Sequence, residues 1–386
     1  MYVGNADKLF FMRDFPQLEL PEAGRKAFSK LADLDAQVRM SALEQLHQLE
    51  KNNTIPPPAQ QEDFWLFAPT WYSFSAMSPS MMLYAAHRGG YSSVAITDYA
   101  SVAGLREFIN AGRCFPRRLS CNTVVVCNLE DTPFAGKQLN YHEAGTLLLA
   151  ATDIPLSHAE QLDAALLYDI RAAQNVRTAC ETWALRSLLH DRDILPDFWN
   201  EAIDYSMFCY SSIPDPPATN FMAGSVSIRH VFYTFARHII SKVTAGENVC
   251  RYLTENLDLP LSPAEIAKLK NPELPKYAFF LTEILYRAYY PQISYSSFAH
   301  PRLPQSSLPL AYVADIMQEV GARPTYIYTG SLPEDACLDA LAAYLSKNGI
   351  RTIAYNERHL TEQQKKHLAE LCAARKIEQM TITYQA

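Results

Sequence analysis

The sequence predicts an α/β fold, a distorted (β/α)7-type barrel that has an N-terminal helical segment and a helical insertion. Three observations favour this class. Short apolar stretches alternate with helical stretches before residue 158 and again after residue 290. Several of these stretches are apolar without interruption, which is typical of parallel strands covered by helices. The part between them, 158–290, shows helical periodicity and no strand signal of comparable quality.

These patterns divide the chain into four predicted segments. Residues 1–60 form an N-terminal helical segment and linker, and residues 61–157 form the first part of the barrel. Residues 158–290 form the helical insertion, and residues 291–386 complete the barrel. Within the first segment, Ala27–Lys51 has apolar residues close to helical spacing. Two placements for this helix stay open: against the barrel, or against another subunit.

The barrel elements follow in order along the chain. Seven strands are predicted, nearly all of them parallel: Phe64–Pro69, Ser93–Asp98, Thr123–Asn128, Thr146–Ala151, Thr325–Thr329, Arg351–Asn356 and Met380–Tyr384. The helices predicted around them begin after Ser78 (ending near Arg88) and after Thr361 (ending near Arg375), or span Val102–Asn110, Leu310–Val320 and Glu334–Lys347. The insertion is predicted to hold helices at Ala159–His190, Val231–Val243, Glu247–Leu257 and Phe279–Tyr290.

Composition limits the classes of function. The chain is 48% hydrophobic and 19% charged, so a large buried core is expected. Its net charge of −7 argues against general binding to nucleic acid or to anionic membranes. Neither a secretion signal nor a membrane span is expected. The eight cysteines form no Cys-x-x-Cys pair, and we expect reduced thiols in a cytoplasmic protein.

The stretch from Phe64 to Phe108 carries a family resemblance. It contains Tyr72-Ser73, Ser78-Pro79, Ile96-Thr97-Asp98 and Ala103-Gly104-Leu105. In this order they resemble the start of a PHP (polymerase and histidinol phosphatase) domain, a metal-dependent phosphoesterase module. Later, the stretch 355–361 and Leu371-Cys372 resemble the penultimate strand and helix of that family. The resemblance covers roughly residues 30–386 and implies the longer subtype with a helical insertion.

The resemblance also implies metal ligands that this chain lacks. Phe67 and Pro69 stand where the family has a His-x-His pair, and Tyr99 stands where it has the histidine after Asp98. On the third strand, either Val124 or Glu130 occupies the position of a glutamate ligand. Thr152 and Asp153 follow the fourth strand where a histidine is usual, and the last strand ends at Tyr384 without an acid. Asp98 is thus the one clear ligand-type residue, and we interpret it as a cap of the following helix.

A few other side chains are candidates for the cleft. His300 follows a possible strand at Ile293–Phe298, Arg229-His230 opens an insertion helix, and Arg358-His359 follows a strand end. Together with Tyr72 at the first loop, they could form a rim that attracts a small anion. No acid–base pair, Gly-rich phosphate loop or cofactor motif accompanies them.

The leading hypothesis from the sequence is a catalytically degenerate PHP-like protein with no metal or other cofactor, which works as a binding or scaffold protein. A first alternative is a metal-dependent phosphoesterase with a rebuilt site that uses Asp98, His300 and His230, with Asp153 as an optional further ligand. A second is an interaction module that acts through its helices, including as a homo-oligomer. The sequence does not identify the substrate, ligand or partner.

Overall fold

The computed structural model describes residues 20–33, 35–58, 65–70, 72–73, 77–141, 144–189, 224–225, 228–272, 277–294 and 307–383. The described residues fall into two compact units. One comprises the described parts of Met1–Arg171, Cys209–Ser225 and Gln305–Ala386, and the other the described parts of Ala172–Phe208 and Val226–Pro304. Each unit has its own buried hydrophobic cluster.

The first unit contains the strands. They are β1 (Trp65–Ala68), β2 (Ser93–Tyr99), β3 (Arg118–Asn128), β4 (Thr146–Thr152), β5 (Leu308–Pro309), β6 (Arg323–Tyr328), β7 (Thr352–Tyr355) and β8 (Glu378–Thr383). Seven of these described strands close into a ring in the order β1-β2-β3-β4-β6-β7-β8, and β8 pairs back to β1. The two-residue strand β5 is added at the end of β3. The predicted mixed α/β barrel is therefore present.

One strand runs against the predicted direction. β4 is antiparallel to both of its neighbours, β3 and β6, while the other pairs in the ring are parallel. The described residues of the connection 129–145 between β3 and β4 form no helix, and an antiparallel pair needs no crossover helix. As a result, the carboxyl end of β4 lies at the opposite end of the barrel from the carboxyl ends of the parallel strands.

Helices surround the ring in the same unit. They are α1 (Glu22–Ser29), α2 (Ala36–Lys51), α3 (Pro79–Arg88), α4 (Leu105–Ala111), α5 (Ala159–Leu162), the start of α6 (Tyr168–Leu189), α11 (Leu310–Glu319), α12 (Leu332–Asp335), α13 (Leu338–Lys347) and α14 (Glu362–Arg375). The side chain of Ser78 accepts a hydrogen bond from the amide of Met81, and Thr361 forms a capping box with Gln364. Both caps are where the sequence predicts them.

The second unit is helical within the described residues. It holds the rest of α6 and the helices α7 (Ile228–Val243), α8 (Glu247–Glu255), α9 (Pro263–Leu269) and α10 (Tyr277–Ser294). Helix α9 was not predicted, although Ser262-Pro263-Ala264-Glu265 carries the signature of a capping box. The strand proposed at Ile293–Phe298 is wrong at its start, because Ile293 and Ser294 belong to α10. Across the described residues, no helix combines the length and apolarity that a membrane crossing needs.

The N-terminal helices belong to the core of the barrel unit. Arg39 of α2 is fully buried, and its Nε donates to Oε1 of Glu107 on α4 at 2.9 Å. A second nitrogen of the same guanidinium bonds the other oxygen of Glu107, and a third donates to the carbonyl of Asp33 at 2.7 Å. Ser80 of α3 also donates to Glu107, at 2.7 Å. Of the two placements left open, the described helix α2 therefore packs against the barrel.

Candidate functional site

The strand register shows which predicted site residues share a face. Phe67 pairs with Ala95, and Tyr99 pairs with Val124. Ala95 and Tyr99 are four residues apart on β2, so their side chains point the same way. Phe67, Tyr99 and Val124 therefore lie on one face of the sheet. Asp98 precedes Tyr99 on the strand and points to the opposite face.

The face that carries Asp98 is the one covered by helices. Ile96 shares this face, and its Cδ1 lies at 3.4 Å from where a Cβ on Gly104 would stand, at the start of α4. The same Cβ would lie 3.0 Å from Pro79 at the start of α3 and 3.1 Å from Tyr72. This close approach explains why the turn uses glycine. The other face, with Phe67, Tyr99 and Val124, lines the lumen of the barrel.

The carboxylate of Asp98 is committed to the loop that follows β1. Oδ1 accepts from the amide of Thr70 at 2.6 Å and from Oγ of Ser73 at 2.7 Å, while Oδ2 accepts from Oγ1 of Thr70 at 2.7 Å. Only 2% of the residue is exposed. Burial raises the pKa of Asp98 to about 6, and the bonds from Thr70 and Ser73 oppose this rise. Asp98 therefore holds the loop after β1 in place.

This geometry corrects the interpretation of Asp98 as a helix cap. The residue at the N-terminal cap of α4 is Gly104, and no side chain caps that helix. The sequence placed an acid at a strand-to-helix connection, where capping is common. However, the turn Tyr99–Gly104 separates Asp98 from the helix, and its nearest donors come from the neighbouring strand connection.

The carboxyl half of the lumen is mostly apolar among the described strand residues. By alternation from the paired residues, its apolar wall is formed by Phe67, Tyr99, Val124, Val126, Leu148, Ile327, Ala354 and Ile382. The polar residues Thr97, Asn128 and Thr146 share this face. The amino half is polar, with Ser120, Asn122, Thr152, Thr325 and Thr352 buried there. Barrel enzymes place their polar chemistry at the carboxyl end, whereas here the carboxyl end carries mainly apolar side chains and no charged one from the described strands.

Thr152 and Asp153 lie at the amino end of the barrel. Thr152 pairs with Arg323, the first residue of β6. Asp153 accepts a hydrogen bond from Oγ of Ser120 at 2.8 Å and lies 3.3 Å from the guanidinium of Arg323. The prediction that these two residues face the same cleft as Tyr99 is therefore wrong. The prediction fails because β4 runs antiparallel to β3 and β6, so the residues that follow it lie at the amino end of the barrel.

Val124 and Glu130 were alternatives for one position on β3. Val124 is fully buried and pairs with Tyr99, so it lies in the lumen. Glu130 is exposed and lies in the turn beyond the end of β3. Among these two, the lumen position belongs to the valine.

Tyr72 and Tyr99 are brought together through their backbones. Ser225 donates its amide to the carbonyl of Tyr72 at 2.7 Å and its hydroxyl to the carbonyl of Tyr99 at 2.6 Å. The next residue, Ala100, has a left-handed backbone with φ of 46°. Its carbonyl accepts from the buried guanidinium of Arg171 at 2.6 Å. These bonds fix the carboxyl end of β2.

Arg171 was not predicted as a residue of this region. It is 2% exposed and also bonds both carboxylate oxygens of Asp163, at 2.7 and 3.0 Å. Asp163 opens a π-helical turn, Asp163–Leu167, between α5 and α6. π-helical turns occur often at functional sites, but their positions carry no simple sequence signal. Arg171 lies within an ordinary helical pattern, so the sequence does not distinguish it from other helical residues.

The remaining candidates are placed less completely. Arg358 and His359 form an exposed 3₁₀ turn after β7, at the same end of the barrel as Tyr99. Arg229 and His230 belong to α7, but their side chains lie outside what the structure describes. His300 and Tyr384 also lie outside the described residues.

A second buried carboxylate, which was not predicted from the sequence, lies in the helix that follows β6. Glu334 is fully buried in α12 and accepts from the amide and hydroxyl of Thr329 at 3.0 and 2.7 Å. It also accepts from the hydroxyl of Tyr326. Burial raises the pKa of Glu334 to about 7, against the opposing effect of these bonds. The capping-box pattern Ser331-Leu-Pro-Glu334 was the available signal.

Glu334 belongs to the helix-covered side, like Asp98. Tyr326 pairs with Leu149, and Leu149 pairs with Val125, the neighbour of Val124. Because Val124 faces the lumen, Tyr326 and its partner Glu334 lie outside it. Both carboxylates therefore fasten a connection after a strand and leave the lumen without an acid from these positions.

The buried state of Glu334 predicts a dependence of stability on pH. Its pKa is raised from 4.5 when folded, so the folded form binds the proton more tightly. The resulting stability is present below pH 4.5 and is lost as the pH rises through about 7. We expect Glu334→Gln to remove on the order of 2–3 kcal/mol of the fall in unfolding free energy over this range. Urea unfolding at a series of pH values measures it, with the exposed Glu319→Gln as the matched control. Parallel pH profiles for Glu334→Gln and the wild type would contradict this assignment.

The described residues contain no group of three or more His, Cys, Asp or Glu side chains that could hold a metal ion. No family model matches the sequence, and no curated protein matches it. Among solved structures, the chain is similar to a candidate metal-dependent phosphoesterase from Bifidobacterium adolescentis, with 16% identity over 86% of this chain and 90% of that chain and a TM-score of 0.48. It is also similar to an amidohydrolase from Chromobacterium violaceum, with 14% identity, coverage of 84% and 87%, and a TM-score of 0.47. At these scores, neither similarity establishes a shared activity or site.

Proposed function

We propose that this chain is a degenerate PHP-like barrel that does not hydrolyse phosphoesters by a metal mechanism and that works as a binding or scaffold protein. The observation that carries this proposal is the position of Asp98. It is the one ligand-type residue that the sequence retains, yet it points away from the lumen and accepts three hydrogen bonds from Thr70 and Ser73.

The residues at the lost ligand positions support the same conclusion. Phe67 and Val124 offer no donor atom to a metal, and they are buried in the lumen beside Tyr99. Pro69 is also buried. A hydrolytic metal centre needs several fixed oxygen or nitrogen ligands for each ion. Apolar side chains at these positions favour a dry cleft over a hydrated ion.

A phosphoesterase with a rebuilt site is less well supported by the geometry. In its fuller version, that alternative places Asp98 and Asp153 beside one ion. Asp98 lies on the helix-covered face near the carboxyl ends of β1 and β2, whereas Asp153 lies beside Arg323 at the amino end of the barrel. Side chains separated in this way cannot share one ion.

The cleft itself is proposed to take a small anionic ligand. Arg358 and His359 are exposed at the carboxyl end of β7 and offer N–H donors at its rim. An apolar floor with a few polar donors at the edge is the common form of a small-molecule site.

An interaction module acting through the N-terminal helices is not favoured by the structure. Leu31, Leu43 and Leu46 are fully buried, and so is Arg39. Removal of residues 1–56 would therefore expose the core of the barrel unit, and a partner lost in this way would report unfolding.

The hydrolysis of para-nitrophenyl phosphate with added Mn²⁺ or Zn²⁺ tests the proposal. We expect no metal-stimulated release of phosphate from the wild type, and the same background rate from Asp98→Asn. Metal-stimulated hydrolysis that is saturable in the wild type and absent in a folded Asp98→Asn variant would contradict the proposal. The Asp153→Asn variant tests the version of the rebuilt site that includes Asp153, since contaminating activity would not depend on that residue.

A further inference from the structure

The helical unit contains a cavity that is separate from the barrel lumen. Its volume is about 320 Å³, and it is lined by the end of α6, the connection between α8 and α9, and one side of α10. This volume lies at the lower end of the range for small-molecule sites, so a compact ligand fits better than a nucleotide. All lining residues belong to the same compact unit.

One part of the cavity wall is formed by buried apolar side chains. Leu257, Leu259 and Ile284 line it, and each is less than 10% exposed. The hydroxyl of Tyr289 donates to the carbonyl of Leu257 at 3.1 Å. The amide of Leu259 donates to the carbonyl of Leu253 at 2.9 Å. These bonds tie the α8–α9 connection to α10 and to α8, so the wall is formed before any ligand binds.

Two opposite charges stand at the edge of this wall. Arg287 and Asp258 both line the cavity and are both exposed. Arg287 bonds Glu265 through one terminal nitrogen, and a guanidinium has five N–H donors. Asp258 has a left-handed backbone with φ of 56°, a conformation that Asp and Asn adopt more readily than most residues. A further polar donor in the wall, Nε2 of Gln292, bonds the carbonyl of Ala288 at 2.9 Å.

We propose that this cavity binds a small zwitterion with an apolar substituent, of the class of the apolar α-amino acids. Arg287 receives the carboxylate, Asp258 receives the ammonium group, and the buried leucine and isoleucine side chains receive the substituent. An anion without an ammonium group would face Asp258, a group of its own sign. A cation without a carboxylate would leave unused the guanidinium donors of Arg287 that do not bond Glu265. A zwitterion matches both.

The proposal is tested with the full-length protein and four related probes. L-leucine carries all three features, 4-methylpentanoate lacks the ammonium group, isoamylamine lacks the carboxylate, and glycine lacks the apolar substituent. Isothermal titration calorimetry is expected to show saturable binding of L-leucine. The other three probes are expected to bind at least about tenfold more weakly.

Variants assign the binding to the cavity. Arg287→Gln and Asp258→Asn are each expected to weaken L-leucine binding by about tenfold or more. Arg251→Gln, an exposed arginine on α8 outside the lining, is expected to leave it unchanged. Absence of saturable L-leucine binding up to about 10 mM would overturn the proposal. Equal binding of all four probes would overturn it as well, and this comparison does not depend on how the variants fold.

Discussion

The Asp98→Ala variant is expected to lose about 3–5 kcal/mol of unfolding free energy, whereas Asp98→Asn is expected to stay within about 1 kcal/mol of the wild type at pH 7.5. The alanine leaves the amide of Thr70 and the hydroxyls of Thr70 and Ser73 buried without their acceptor. Each unsatisfied buried donor costs about 1–3 kcal/mol.

Asparagine at position 98 has nearly the same shape as aspartate and can form most of the same hydrogen bonds. Its carbonyl can accept from the amide of Thr70 and from Ser73, and its NH₂ group can donate to the hydroxyl oxygen of Thr70. It also removes the cost of burying a charge. Because the pKa of Asp98 is raised from 3.8 to about 6, the part of the stability that depends on protonation of its carboxyl group is present below pH 3.8 and is lost as the pH rises through about 6. The asparagine variant is expected to lack this change.

Urea unfolding followed by intrinsic fluorescence measures both variants across pH 4 to 8. A loss in Asp98→Asn as large as the loss in Asp98→Ala would contradict the role given to the carboxylate, because it would show that the negative charge itself is required.

The second large effect is expected at the ion pair between α2 and α4. Arg39→Leu should lower the unfolding free energy by about 3–5 kcal/mol, since it leaves the carboxylate of Glu107 buried without its cationic partner. The guanidinium side chain of Arg39 is fully buried, so solvent does not screen this pair.

A double-mutant cycle isolates the ion pair from the volume change. Glu107→Leu combined with Arg39→Leu is expected to cost less than the sum of the single variants by about 1–3 kcal/mol. The matched control is Arg106→Leu on the same helix. The ion pair of Arg106 with Glu160 is 85% and 92% exposed, so little change is expected. Additive single effects in the cycle would show that the pair is not coupled.

The sequence was sufficient for the elements whose signals are local. Ser78-Pro79 and Thr361 mark their helices correctly, and the strand Ser93–Asp98 differs from β2 by one residue. The apolar runs also predict closure into a barrel, because each must be covered on its outer side. The strands in the ring number seven among the described residues, as predicted.

The direction of β4 was not predictable from its own residues. Thr146–Thr152 is an apolar run, and such a run is equally compatible with parallel and antiparallel pairing to its neighbouring strands. The lack of a helical pattern in the connection between β3 and β4 was the available signal, since the crossover that joins a parallel pair usually contains a helix. Missing this direction placed Thr152 and Asp153 at the wrong end.

The face of the sheet to which Asp98 points could be assigned only from the register between neighbouring strands. Alternation along one strand shows that Asp98 and Tyr99 point to opposite sides, but it does not show which side is the lumen. The resemblance to the PHP family, which implies a histidine ligand at the position of Tyr99, predicted that Tyr99 faces the lumen. Glu334 and Arg171 depend on contacts between distant strands and turns, which no local pattern contains.

Metal content tests the central claim most directly. The wild-type protein and Asp98→Asn are purified without chelator, dialysed against Zn²⁺, Mn²⁺ or Fe²⁺, freed of excess ion and measured by inductively coupled plasma mass spectrometry. The structure predicts metal far below one ion per chain, equal in the two proteins, because the carboxylate of Asp98 is occupied by Thr70 and Ser73. Stoichiometric metal in the wild type that is lost in a folded Asp98→Asn variant would contradict it.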